Sequence, residues 1–433
     1  MRFFTKKNIQ QGTASIKGKA FHYFFSDDSF DFVPIEDLSK APDWKPMRRS
    51  ELKGLLIECE PFAQQNTRVE IVGNHDGYLS CDNNLKCTYD KLFIHKLPYR
   101  IDAIGFHGPF INQIVQNITV RRKLTNWKDP HSLSLMKTFI IFGKKYDLTT
   151  VTEIAGEDDE DIKFKSTVYA HFESPLTKEE AFSFYLAFIR LVQFMSHRKD
   201  IYFDCDTYEI SGDSAVQSGS IYLSNISEKR AGKTSTLAIS LETIFPIVGD
   251  LLSFIHEGNI VPLFIPSEKT VTFSDSYILA TAWAQMVFKQ AYVPIDNTYK
   301  IKGHDVLDAS TDKRISLQEQ LSIMITDAFP FVSDFVSIAF PFMFSKIDLE
   351  EYTSKTLPER LKNVRNAIAH GSSDPKDYEY TQYDMVLLLC SVYCGILSKK
   401  FGLDEANVKL ALTELFINEN EAFAQWKHIH PDD

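Results

Sequence analysis

The sequence has little cysteine, a shortage of basic charge, and no long apolar run. Six cysteines in 433 residues are too few for a disulfide framework, and their spacing is not that of a zinc site. Cys81 and Cys87 form a C-x5-C pair with no second pair nearby, and Cys390 and Cys394 lie one helical turn apart in an apolar run. They read as reduced thiols used as small hydrophobes. The opening residues carry no apolar stretch with a small-residue cleavage site. The most apolar run, Phe335 to Phe344, is ten residues long and holds Ser337 and Pro341. Neither a secretory signal nor a membrane span is expected, and the chain reads as cytoplasmic.

Two catalytic signatures are also missing. Without a Gly-x-Ser-x-Gly elbow or a Gly-rich phosphate loop, nothing supports an acyl-transfer or P-loop enzyme. The 47 Lys and Arg are outnumbered by 58 Asp and Glu, a net charge of −11. A wide, non-specific nucleic-acid groove needs an excess of cations to displace counterions, so only a confined basic site is compatible with this balance.

What is present is the material of packed cores: 44% hydrophobic residues, including 34 Phe and 18 Tyr. The length predicts two or three units. The first half reads as β-rich. Two alternating runs flank Gly73-Asn-His-Asp-Gly77 as a hairpin would. Further short runs occur at 55–59, 101–106, 118–124, 138–146, 166–172, 201–204 and 220–223. Their spacing suggests a sandwich or partly open barrel. Thr177-Lys-Glu-Glu180 is a capping box, and Phe184, Phe188, Leu191, Val192 and Met195 behind it form one helical stripe. A second helix is expected over 241–256, and the acidic run 157–161 reads as a solvated loop.

From about Ser274 the period is helical. Helices are expected over 274–293, 316–346 with a break at Pro330, 358–370, 380–401 and 404–417, joined by short connections. The expected fold is therefore α+β. A β-rich N-terminal domain with packed helices spans 1–268, with room for two lobes, and an all-α bundle spans 269–433.

The segment Leu357-Pro-Glu-Arg-Leu-Lys-Asn-Val-Arg-Asn-Ala-Ile-Ala-His-Gly371 holds most of the chemistry. Leu361, Val364 and Ile368 make a core-facing stripe, and Pro358 is tolerated in the first turn. Gly371 stops the helix, placing His370 in its last turn, where the negative end of the helix dipole favours a positively charged side chain. At about 100° per residue, Asn366 and His370 share a face, whereas Arg365 lies about 140° from His370. Arg365 must reach around or be completed by a second copy across a two-fold axis. The plainer reading is a solvated Arg, or one paired with Asp374 or Glu359, and a His that merely ends a helix.

Arg365-Asn366-Ala-Ile-Ala-His370 resembles the signature of the HEPN superfamily of helical-bundle nucleases. The β-rich first half followed by the bundle looks like the ApeA-type anti-phage defence proteins within it, as does the approach to the first long helix, Glu173 to Ala181. The resemblance implies a metal-independent endoribonuclease without a cofactor, with Arg365, Asn366 and His370 as catalytic residues. His370 would remove the ribose 2′-OH proton or protonate the leaving 5′-oxygen, Arg365 would stabilise the phosphorane, and Asn366 would orient the imidazole or bind a phosphate oxygen. The expected products carry 2′,3′-cyclic phosphate ends.

Lys355, Arg360 and Lys362 form a local basic patch suited to RNA phosphates, although a solvated face fits equally. From Val271 onward 15 Lys and Arg face 23 Asp and Glu, a balance of −8, so RNA binding would depend on that patch. Expected partners are RNA, a second copy of the chain, and a phage-derived trigger at the N-terminal domain. The alternative is a non-catalytic HEPN dimerisation or nucleotide-binding module coupled to a ligand-sensing β-rich domain.

Overall fold

The computed structural model describes residues 4–40, 51, 53–64, 66–73, 78–79, 84–115, 131–158, 161–197, 201, 203–212, 214–223, 238–258, 273–292, 299–301, 304–307, 315–339, 351–352, 356–370 and 381–416. They fall into two compact units: residues 1–186 with 200–234, and residues 187–199 with 235–433.

The first unit is built on one continuous antiparallel sheet. Strands β1 (Gln11–Ile16), β2 (Lys19–Ser26) and β3 (Ser29–Pro34) form a meander. β4 (Leu56–Pro61), β5 (Thr67–Gly73), the short β6 (Tyr78–Leu79) and β7 (Leu85–Lys96) follow. β1 pairs with β4 and β3 pairs with β7, so six strands close into a barrel in the order β1-β2-β3-β7-β5-β4. Alternation explains the closure. Phe21, Tyr23, Phe30, Phe32, Ile57, Val69, Ile71 and Ile94 point inward and are sealed from solvent. Gly12 lets β1 approach β4, because a Cβ there would lie 2.1 Å from the Glu60 carbonyl oxygen.

β7 is longer than the barrel needs. Its residues 91–95 also pair with β13 (Ser214–Leu223), extending the sheet through β12 (Asp204–Ser211), β8 (Ala103–His107), β11 (Asp161–Phe172) and β10 (Lys144–Asp158) to β9 (His131–Ile141). The short helix α1 (Pro109–Val115) packs on β11. The unit is thus a closed barrel with an extension of the same sheet, rather than a two-sheet sandwich.

Several sequence expectations change here. β5 and β6 do not form a hairpin with each other; both pair with β7, which is long enough to serve both. The run at 138–146 is a hairpin tip, with Phe142 and Gly143 at positive φ between β9 and β10. The described ends of the acidic run belong to strands instead of a loop: Glu157 and Asp158 of β10 pair with Ile162 and Asp161 of β11. The run at 118–124 lies outside the described residues.

Helix α2 (Lys178–Ser196) starts at the expected capping box. The Glu180 amide donates to Thr177 Oγ1 at 3.2 Å, and the Thr177 amide donates to Glu180 Oε2 at 2.7 Å. Residues 178–186 belong to the first unit and 187–196 to the second.

The second unit is mainly helical. α3 (Leu241–Ile244) runs through a 3-10 turn into α4 (Val248–His256). α5 (Phe273–Val287) continues as a π-helical turn to Tyr292. α6 (Leu317–Ala339), α7 (Leu357–His370), α8 (Thr381–Cys394, extended by a π-helical turn to Lys400) and α9 (Glu405–Phe416) complete it. α7 and α8 each pack on α5 and α6, and α9 packs on α6 and α3. Pro330 lies inside an uninterrupted α6, not at a break. The unit is not all-α: β14 (Tyr299–Ile301) and β15 (His304–Leu307) form a hairpin inserted between α5 and α6. The chain as a whole is mixed α and β. Among the described residues no helix is long and apolar enough to cross a membrane. Cys59, Cys87, Cys205, Cys390 and Cys394 are buried thiols outside any disulfide, as small core hydrophobes would be, and burial raises the thiols of Cys59, Cys87, Cys390 and Cys394.

Candidate functional site

Helix α7 has two halves of different character. Leu357, Leu361 and Val364 are sealed in the core and anchor its first half. After Val364 no side chain of the helix is buried. Arg365, Asn366 and Ile368 are half-exposed, and His370 is exposed in the last turn. Ile368 therefore does not join the core stripe, because the helix has left the core by that position. The consequence is that Arg365, Asn366 and His370 all lie on a solvent-reachable helix end.

Within this one chain they form a pair and a single residue. Arg365 Nη1 donates to Asn366 Oδ1 at 3.2 Å. Among the described residues no hydrogen bond or ion pair joins His370 to either of them. Asn366 thus fixes the guanidinium rather than the imidazole. A guanidinium and an imidazole on the last turns of one helix, both open to water, can bind an anion and exchange protons with a bound ligand.

The basic patch divides differently. Lys355 lies outside the described residues. Lys362 Nζ donates to Gln318 Oε1 at 3.1 Å and so ties α7 to α6. Arg360 turns inward: its Nε donates to Asp384 Oδ2 at 3.2 Å, and the Asp384 side chain is 0% exposed. A guanidinium committed to a buried carboxylate is not a free phosphate ligand. Arg360 is thereby corrected from a surface cation to a core partner.

Asp384 sits in the first turn of α8 and is the centre of a buried knot that the sequence reading did not find. The Tyr352 hydroxyl donates to Asp384 Oδ1 at 2.5 Å, and Arg360 also hydrogen-bonds Tyr352. Tyr277 of α5 is buried close enough to feel all three. Burial raises the Asp384 carboxyl above its ordinary range, against the lowering effect of Tyr352 and Arg360. The available signal was an aspartate just ahead of the apolar run Met385–Cys394, where a buried charge requires partners.

The first unit holds two further polar clusters. His107 Nε2 donates to Asp206 Oδ2 at 2.8 Å, and the Ser220 hydroxyl donates to Asp206 Oδ1 at 2.5 Å. Serine and histidine both bind the carboxylate, with no relay from Ser220 to His107, so this is not the arrangement of an activated serine. At the other cluster, His95 Nε2 lies 3.1 Å from Glu70 Oε1, and Lys178 Nζ donates to Glu70 Oε2. Desolvation raises the Glu70 carboxyl, but its bonds to His95 and Lys178 outweigh this and hold it below the usual range. No protein-family model, curated protein or solved structure matches the chain.

Proposed function

We propose that the protein is a metal-independent endoribonuclease of the HEPN type, acting as an effector of anti-phage defence. The observation that supports this is the solvent-open end of α7, where Arg365, Asn366 and His370 follow a buried anchoring half. In the proposed chemistry a His370 imidazole takes the 2′-OH proton, the 2′-oxygen attacks phosphorus, and the bond to the 5′-oxygen breaks. That oxygen leaves with a proton from an imidazolium, and a 2′,3′-cyclic phosphate remains. Arg365, held by Asn366, offsets the charge on the equatorial phosphorane oxygens.

One chain supplies the guanidinium and the imidazole with no hydrogen bond or ion pair between them among the described residues, so the reading includes a homodimer in which two α7 ends share a cleft. The C-terminal unit is read as the HEPN bundle, with the β14–β15 hairpin as an insertion. The β-rich unit is read as the sensor of a phage-derived trigger. Because Arg360 is committed to the core, RNA contacts outside the motif fall to Lys362 and Lys355.

The test is RNA cleavage by wild type, Arg365→Ala and His370→Ala, with and without chelator, together with toxicity in cells. Wild type is expected to cleave RNA but not DNA, with chelator present, and each variant to lose at least about 100-fold. No cleavage by wild type under any activating condition, or full activity in both variants, sinks the reading. The second reading, a non-catalytic dimerisation or nucleotide-binding platform, draws on the absence, among the described residues, of a hydrogen bond between His370 and the Arg365–Asn366 pair. It would show as binding without cleavage.

A further inference from the structure

We propose that Asp384, through Arg360 and Tyr352, is a positioning residue that sets the direction in which α7 presents Arg365 and His370. This rests on the nuclease reading of that helix end. The placement of α7 is set by what holds it. Its exposed half has no buried side chain, so the placement of Arg365 and His370 is inherited from the half before it. The apolar contacts of Leu357, Leu361 and Val364 are non-directional and tolerate small rotations. Hydrogen bonds are directional. The described ones from α7 side chains to other helices are Lys362 to Gln318 on α6 and Arg360 to Asp384 on α8. Tyr352, just ahead of α7 in the chain, binds the other oxygen of the same carboxylate. One buried side chain thus grips the helix and the segment leading into it.

The lever is long. At 1.5 Å rise per residue, His370 stands about 15 Å along the axis from Arg360, so a tilt of about 10° pivoting at Arg360 moves it by about 2.6 Å. A misplacement of about 1 Å at a reacting group can cost roughly 100-fold in rate. Stability alone gives little reason to keep such a knot, since apolar residues of similar volume in place of a buried ion pair are often neutral or stabilising. Directionality is what the apolar version would lack.

The experiment compares full-length wild type with Asp384→Asn and with the apolar double replacement Arg360→Met/Asp384→Leu, reading thermal midpoint, kcat and KM for RNA cleavage. If Asp384→Asn does not fold, the apolar pair decides. The expected result is a folded double variant with KM within about 3-fold of wild type and kcat reduced at least 10-fold. In an Arg365→Ala/His370→Ala background the double replacement should cause no further loss. Retention of wild-type kcat by the folded double variant overturns the proposal while leaving the nuclease reading intact. A wild type that cleaves no RNA removes both.

Discussion

His197 and Tyr393 of the second unit meet at 3.0 Å, with the direction of their hydrogen bond fixed by a third group. The Tyr393 hydroxyl gives its proton to the Phe194 carbonyl at 2.7 Å, so it can only accept from His197 Nδ1. The imidazole is therefore the neutral Nδ1–H form, and it sits edge-on to Trp283. Backbone φ at His197 is 49°, the left-handed region that follows a helix end.

Burial lowers the His197 pKa to about 4, below its ordinary 6.5. A depressed histidine is protonated more readily in the unfolded chain. Its contribution is fully present above about pH 6.5 and is lost as pH falls towards 4, by up to about 3 kcal/mol. His197→Asn, which tolerates the left-handed backbone, should flatten this part of the dependence. Urea unfolding of both proteins at pH 7 and pH 4.5 measures it. An equal acid loss in both would show that His197 is not the titrating group.

Arg360→Ala separates a core partner from a phosphate ligand. Removing the guanidinium leaves the Asp384 carboxylate buried with half of its support, which is expected to cost about 3 to 5 kcal/mol. Unfolding free energy should fall by that amount, whereas Lys362→Ala should change it by less than about 1 kcal/mol. A stable Arg360→Ala protein with weakened RNA binding would restore the surface-patch reading.

Gly12→Ala probes barrel closure. Its Cβ would meet Glu60 backbone 2.1 Å away and the Tyr23 ring at 2.6 Å, and backbone cannot step aside without parting β1 from β4. The expected loss is about 3 kcal/mol or more, seen as a lower thermal midpoint and faster amide exchange on β1 and β4. A wild-type midpoint would mean that the seam is looser than its geometry implies. Gly18→Ala is a poor substitute for this test, because that turn glycine sits at φ 74° with open space around it and would report backbone strain instead.

Much of the helical unit could be read in advance, because capping residues and periodicity are local. Besides the α2 capping box, Ser316 and Glu319 cap α6 as a reciprocal pair and Asp404 caps α9. The meander β1–β3 was harder. Phe21 and Tyr23 face inward, but Phe24 on the outer face is 47% exposed and hides the two-residue period. The turns at Lys17-Gly18 and Asp27-Asp28, all at positive φ, were the legible marks. For Arg360 the obstacle was range. A helical wheel sees neighbours four residues away, whereas Asp384 lies 24 further along the chain and on another helix. His107 and Asp206 are 99 residues apart and share only a strand register.

The double duty of β7 carries a mechanical consequence. Its residues 85–88 close the barrel against β3, while 91–95 begin the extension against β13, and β5 lies along the opposite edge. A load applied to the outer strands would be transmitted to the barrel wall along one ribbon of hydrogen bonds. Excising 204–223 would leave that ribbon with a bare margin, open to pairing with a strand of another molecule.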